Sequence, residues 1–396
     1  MKAKKLSLLT LLLSLMLVLS ACGANAGDAQ KPDDKASQEV SQNESKAAEQ
    51  AEPKPAEKAD EKAEAKDADT VVITDMNGRE VEIPTPDKLK KVYYEAPIGE
   101  VMVYTVDPSR MGGLVSTLND KQKKYMPLAK DLEVIAPFNS KGAGFNTEEI
   151  LASGAQVYIH MGPMGMTEKN AKAADEMQDK LKIPVVVVDG TFPQRAEAYR
   201  FLGKIFDVEE RAEMLAQYCE KTYKEITEKA EAIPDDQRVR LYYAEGPEGL
   251  NTDPEGSAHS AIFKYAGAKN VADVELKPGV GMTPVSMEQI LEWNPDVIFM
   301  GQMKDNPYEK IMNEPQWKNI KAVQDGRVYM APNMPFSWID RPPSSQQYLG
   351  IKYVANTLYP EVFDFDLTKE TQEFFKLFYQ VEISEDEANE LLSAAK

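Results

Sequence analysis

Histidine is scarce in this chain: its 396 residues hold two, His160 and His259. A neutral imidazole ligates metals and a protonated one donates to anions. Turned toward one cleft, the pair has the chemistry to hold iron, another metal or heme. Alone, each can do no more than cap a loop, and Ser257-Ala258-His259 ahead of a helical segment is also a capping arrangement. A second reactive stretch is Trp338-Ile339-Asp340-Arg341-Pro342-Pro343-Ser344. Arg341 can fork onto a ligand carboxylate or an oxyanion, or pair with Asp340 or Asp364 and hold its loop against the final helices. Trp338 and Phe336 offer aromatic faces to a chelate ring. Met161, Met164, Met166, Met282, Met303 and Met334 supply soft thioethers that suit a flat apolar ligand, and equally a core.

Enzymatic readings find little support. There is no Gly-x-Ser-x-Gly elbow and no His-Glu-x-x-His, and two histidines leave little room for a base with its orienting partner. The glycines at 142 and 144 are not followed by Gly-Lys-Ser/Thr, so they make no phosphate cradle. A receptor for bare zinc or manganese normally converges several His and carboxylate ligands. With 46 Lys+Arg against 65 Asp+Glu, the net charge of -19 repels a phosphate backbone. No enzyme and no nucleic-acid partner are expected; an adhesive or sensing protein would look the same.

The elements around these residues come in blocks. Lys2, Lys4 and Lys5 precede an apolar run from Leu8 to Leu19, broken by Thr10 and Ser14, which reads as a secretory signal too short for a comfortable span. It ends in Leu19-Ser20-Ala21-Cys22-Gly23, which resembles the bacterial lipobox; that resemblance implies a signal peptide over 1–22 and a diacylated Cys22 carrying palmitate-type chains. Cys219 is the other thiol, so no intramolecular disulfide is available and burial on a helix is expected. Residues 23–69 hold 13 acidic and 7 basic residues and almost nothing that packs, predicting a disordered charged tether. A flexible chain of that length spans roughly 40 Å.

From Val71 onward the pattern becomes that of a folded body. Residues 70–74 and 79–83 flank Met76-Asn77-Gly78, predicting a hairpin with a two-residue turn. Strands are expected at Lys91–Tyr94, Met111–Val115, Val157–Ile159, Val185–Asp189, Val239–Ala244, Val297–Met300 and Val328–Ala331. Helices are expected at Thr147–Ala152, Glu168–Leu181 and Glu288–Glu292. A long helical pattern over Gln194–Ile233, with a break and restart at Asp207, divides the fold in two. The fold class is α/β: two doubly wound lobes with parallel sheets joined by a long interdomain helix. The expected division is an N-terminal lobe over 70–193, the helical region over 194–234 and a C-terminal lobe over 235–396.

Several motifs then fall in a recognisable order. Residues 74–84 read Thr-Asp-Met-Asn-Gly-Arg-Glu-Val-Glu-Ile-Pro. Asn146-Thr147-Glu148-Glu149-Ile150-Leu151 precedes Val157-Tyr158-Ile159, with Ala155-Gln156 where Pro-Asp is usual. Ser286-Met287-Glu288-Gln289-Ile290-Leu291 precedes Asn294-Pro295-Asp296-Val297-Ile298. Trp317 and Asp325-Gly326-Arg327-Val328-Tyr329 close the series. Together these resemble the cobalamin, heme and ferric-siderophore substrate-binding proteins of ABC importers, the class III periplasmic-binding type, over residues 70–396.

The resemblance implies a lipid-anchored receptor on the outer face of the cell membrane. It captures a small-molecule metal chelate and hands it to a permease and its ATPase. It also implies that Glu148 and Glu288, one per lobe, meet arginines of the permease. Ligand contacts are expected on loops at the carboxyl ends of strands, with candidates His160, Met161, Phe192, Glu245, Thr252, His259, Phe336, Trp338 and Arg341. No intrinsic cofactor is expected. The expected ligand is a ferric siderophore; heme, a corrinoid or a molybdate-like oxyanion are the alternatives, and no sequence feature chooses among them.

Overall fold

The computed structural model describes residues 69–94, 96–135, 146–162, 165–276, 281–301 and 306–393. Residues 1–68, which include the expected signal segment, Cys22 and most of the expected tether, and residues 95, 136–145, 163–164, 277–280, 302–305 and 394–396 lie outside them. Among the described residues the strands are β1 (Thr70–Thr74), β2 (Glu80–Pro84), β3 (Val92–Tyr94), β4 (Val157–Gly162), β5 (Val185–Asp189), β6 (Arg240–Tyr243), β7 (Asn251–Thr252), β8 (Lys269–Asn270), β9 (Thr283–Pro284), β10 (Val297–Gly301) and β11 (Val328–Ala331). No helix among them is long and apolar enough to cross a membrane.

Two parallel sheets form the two α/β lobes, in the orders β3-β4-β5 and β11-β10-β6-β8. Their strands are buried on both faces, so β5 reads as four valines and β10 as Val-Ile-Phe-Met without polar alternation. The hairpin forms, but its turn is longer than expected, since Thr74 pairs with Glu80 and leaves residues 75–79 as the loop. The Asp75 carboxylate explains the length. Its Oδ1 accepts from the backbone of Asn77 (3.0 Å) and Arg79 (2.9 Å), and its Oδ2 accepts from Val187 N (3.1 Å), docking the hairpin on β5. Met111–Val115 is not a strand: Met111 and Leu114 make isolated bridges to Val92 and Val134, and Gly112-Gly113 between them gives little to pack.

Helices Thr147–Ala152 and Glu168–Leu181 lie where the sequence put them. The helical region is two helices, Arg195–Phe206 and Glu209–Glu231, separated by Asp207 in the left-handed conformation at φ 59°. Cys219 is buried on the second. In one respect the chain departs from a division at 235–396. Its last helices return to the first lobe, where the Phe375 ring lies 5.0 Å from Tyr125, Tyr379 lies 5.9 Å from Tyr104, and Lys124 pairs with Glu387. Phe374, Phe375, Phe378 and Tyr379 are buried, and Tyr379 packs against Tyr104 of helix Pro97–Val106, taking their apolar surface out of water. One apolar core consequently runs through both lobes, including Val92 and Val186 of the first and Leu241, Phe299 and Trp338 of the second. A second cluster around Ile290, Trp317 and Met330 belongs to the second lobe alone. Such a shared, close-packed core limits relative motion of the lobes.

Candidate functional site

At the carboxyl end of β6 the chain turns back through Glu245, whose backbone exchanges hydrogen bonds with Asn251 (2.8 and 3.2 Å). The carboxylate of Glu245 is thereby buried at the head of the second sheet. Asp253, just beyond β7, is fully buried as well, its Oδ1 accepting from Ser257 Oγ at 3.0 Å. Gly281 lies against this carboxylate, at φ 65°, and a Cβ there would come within 2.2 Å of Asp253 Oδ1. Only glycine permits that approach.

Arg341 reaches into this acidic pocket. Its Nε donates to Glu245 Oε1 at 2.8 Å, its Nη2 to Asp253 Oδ2 at 3.0 Å, and Asp340 Oδ2 lies 3.4 Å from Nε. Asp340 also accepts from His259 Nδ1, at 2.8 and 3.0 Å. Burial pushes the Asp340 carboxyl above its ordinary value. Burial also lowers the His259 imidazole, but the Asp340 hydrogen bond and charge more than offset this, so the pair holds its proton above the ordinary histidine value. Burial, reinforced by the Asp253 carboxyl, pushes Glu245 up to about 9 against the pull of Arg341. Two nitrogen donors, Arg341 and His259, thus stand braced by Asp253 and Asp340, beside a Glu245 carboxyl whose proton affinity burial has raised. Such an arrangement can present fixed donors to an anion.

Of the sequence candidates, Glu245, His259 and Arg341 converge here. The loop reading of Arg341 named Asp340 as a partner, and the structure adds Glu245 and Asp253. Thr252 is fully buried beside them with its hydroxyl lacking a partner. His259 is held twice, by Asp340 through its ring and by Ser257 Oγ through its backbone N–H at 3.2 Å. His160 lies half-buried on β4, level with Val187 of β5. Among the described residues no three or more His, Cys, Asp or Glu are grouped to hold a metal ion. Met161 and Phe336 are buried in the shared core. Trp338 is fully buried too, its Nε1 bonded to the Met334 carbonyl at 2.9 Å and its ring edge-on to Tyr353.

Phe192 stacks between Tyr348 (4.4 Å) and Tyr265 (5.5 Å) at the joint of the lobes. There, Gly190, Phe192 and Arg195 face Ser257, Tyr265 and Gln347 across a cavity of about 300 Å³. Asp253 and Arg195 are the residues that the sequence did not reveal. Asp253 looks like an ordinary turn aspartate before Pro254, and the partners of Arg195 lie far along the chain.

Glu148 and Glu288 are exposed at matching helix positions. Asn146 and Ser286 cap their helices by accepting from Glu149 N (3.3 Å) and Gln289 N (3.2 Å). Ile150 and Ile290 are fully buried, while Leu151 and Leu291 are 44% and 38% exposed. The two lobes thus repeat one acidic and one apolar knob each.

Residues 147–335 match the sequence profile described as periplasmic binding protein. The chain is 26% identical over 339 residues to the molybdate-binding protein MolA of Haemophilus influenzae, covering 80% of this chain and 93% of that protein. It is 26% identical over 148 residues to the Fe(3+)-citrate-binding protein YfmC of Bacillus subtilis, covering 36% of this chain and 44% of that protein. The solved structure of an ABC transporter solute-binding protein from Sulfurospirillum deleyianum superposes with a TM-score of 0.73 at 29% identity, over 81% of this chain and 99% of that one. With two parallel-sheet lobes, a helical joint and a charged pocket at the strand ends, the chain is similar to periplasmic binding proteins, the solute-binding components of ABC transporters.

Proposed function

We propose that this protein is anchored through a lipid on Cys22 and captures a compact anionic metal species, an oxyanion of the molybdate type, for delivery to an ABC permease driven by its ATPase. The observation that carries this reading is the pair of nitrogen donors, Arg341 and His259, braced on either side of Asp340. An oxyanion takes fixed N–H donors around a small sphere, whereas a large chelate takes aromatic walls; here Trp338 and Phe336 are spent on the core. The likeness to a molybdate-binding protein over nearly its whole length supports the same choice. No chemistry on the ligand is part of this reading, and Glu148 and Glu288 are its docking knobs for the permease.

A ferric chelate of the citrate kind is the second reading. The observation that favours it is the same His259–Asp340 bond. A carboxylate on Nδ1 is the usual partner of an imidazole whose Nε2 ligates a metal. Titration calorimetry with molybdate, tungstate, sulfate and ferric citrate separates the two. Saturable submicromolar binding of molybdate, weakened at least a hundredfold in Arg341→Ala, is the expected result. Binding of ferric citrate alone would replace the oxyanion reading by the chelate reading.

A further inference from the structure

Arg341 has a backbone φ of 57°, the left-handed region that a residue with a long side chain occupies only where its surroundings fix it. The backbone on either side of Arg341 is held, directly or through Gln347, by one distant residue. Arg195, the first residue of its helix, is 1% exposed. Its Nη1 donates to the Ser344 carbonyl at 2.5 Å and its Nη2 to the Pro343 carbonyl at 2.8 Å, two groups just downstream of Arg341. Nη2 also donates to the Gly190 carbonyl at 2.9 Å, at the end of β5 in the first lobe. Both Nη groups reach Gln347 Oε1 (3.2 and 3.3 Å), and Gln347 Nε2 in turn holds the Ile339 carbonyl at 2.8 Å, upstream of Arg341. The rings of Phe192 and Tyr348 lie 5.8 Å from the guanidinium carbon.

These acceptors are all neutral oxygens. A buried arginine is ordinarily matched to a carboxylate, because its charge is costly to desolvate. Here the rigid fork is used to gather carbonyls from both sides of one joint, a task for which the five fixed donors of a guanidinium are suited and the single ammonium of lysine is not.

We propose that Arg195 is a positioning residue for the ligand loop: by bridging Gly190 to the Pro343 and Ser344 carbonyls it fixes the left-handed backbone at Arg341, and with it the Asp340 carboxylate that braces His259. The role at the ligand rests on the reading of Arg341 and His259 as anion donors. The cleft edge of the first lobe and the donor pair of the second are thereby tied into one unit.

With two histidines in the chain, the His259 imidazole can be followed by NMR in full-length protein carrying ¹³C-labelled histidine, His160→Ala assigning the pair. In Arg195→Met the His259 midpoint is expected to fall by half a pH unit or more, toward that of Asp340→Asn, while the His160 midpoint stays in place. Arg195→Lys recovers part of the shift, and it carries the same test if the Met variant does not fold. With molybdate as the probe, Arg195→Met is expected to weaken binding at least tenfold in the wild-type background and less than twofold beside Arg341→Ala. An unmoved His259 midpoint in a folded variant, equal movement of both histidines, or equal loss of affinity in both backgrounds overturns the proposal. If Arg341→Ala leaves molybdate binding intact while Arg195→Met still shifts His259, the oxyanion reading falls and the positioning role stands.

Discussion

His259 and Asp340 are 81 residues apart in sequence, yet the imidazole Nδ1 lies 2.8 Å from a carboxylate oxygen that is itself buried from solvent. The bond settles the tautomer of the neutral ring, since Nδ1–H must face Asp340 and Nε2 is left for whatever enters the pocket. It also gives His259 two states with different partners: protonated it is a donor for an oxyanion, neutral it is a ligand for a metal.

Affinity for molybdate should therefore depend on pH with a defined sign. The His259 pKa lies above its ordinary 6.5 because of Asp340, so the donor state is full at low pH and is lost as pH rises through the raised value. Binding should be strongest near pH 6 and fall by up to about tenfold per pH unit above the midpoint. Calorimetric titrations from pH 6 to 9 check this. Affinity that rises with pH instead would point to the metal-ligating state.

Glu100 supplies a stability prediction. It is fully buried in helix Pro97–Val106, one oxygen accepting from Val115 N at 2.6 Å and the other lacking a partner. Burial pushes it from 4.5 up to about 7. The folded chain then keeps a proton that the unfolded chain releases, so stability is fullest below pH 4.5 and declines as pH rises through 7. Relative to Glu100→Gln, the wild type should lose roughly 3 kcal/mol between pH 4.5 and 8, by about 1.4 kcal/mol per pKa unit. Urea unfolding of both proteins across that range measures it.

Charge reversal at the repeated knobs separates capture from delivery. Glu148→Arg with Glu288→Arg should leave ligand affinity within twofold, because both side chains are exposed on outer helix turns. Uptake of labelled ligand by cells carrying the double variant should drop at least tenfold. Unimpaired uptake would remove these residues from the docking surface.

Gly350 sets the floor under the loop that carries Arg341. A Cβ there would sit 1.7 Å from the Trp338 carbonyl oxygen, within helix Gln347–Leu358. Alanine favours a helix over glycine by about 1 kcal/mol, but separating the helix from a packed loop costs about 1–3 kcal/mol. The clash should win. Gly350→Ala is expected to lower the thermal midpoint and to weaken molybdate binding together, measured by calorimetry on one preparation.

The anchor has its own test. Cys22→Ser should abolish incorporation of labelled palmitate and shift the protein from the detergent phase to the aqueous phase, with ligand affinity unchanged.

Much of the fold was legible because it depends on local pattern. Four valines in a row at β5 and the break at Asp207 each act within a few residues, and each predicted its element. Where local pattern was weak the reading slipped. Met111–Val115 has strand-like side chains around a glycine pair, and β7, β8 and β9 are too short to leave a period.

The pocket was legible only in part. Sequence nominated Glu245, His259 and Arg341 by residue type and by their place after strands, but it also nominated Trp338 and Phe336, which tertiary packing draws into the core. Asp253 and Arg195 went unseen. Nothing in their neighbourhoods differs from an ordinary turn aspartate or a helix-start arginine, and the partners that tie them to the Arg341 loop lie 88 and 148–149 residues away. Periodicity and the helix break, which act over a turn or two of backbone, thus marked out the α/β lobes and the helical joint, while the paired glutamates followed from the order of the motifs. Which charges meet, and which aromatic rings are left for a ligand, was decided by long-range packing. Burial and electrostatic pairing act through space, and no local pattern records them.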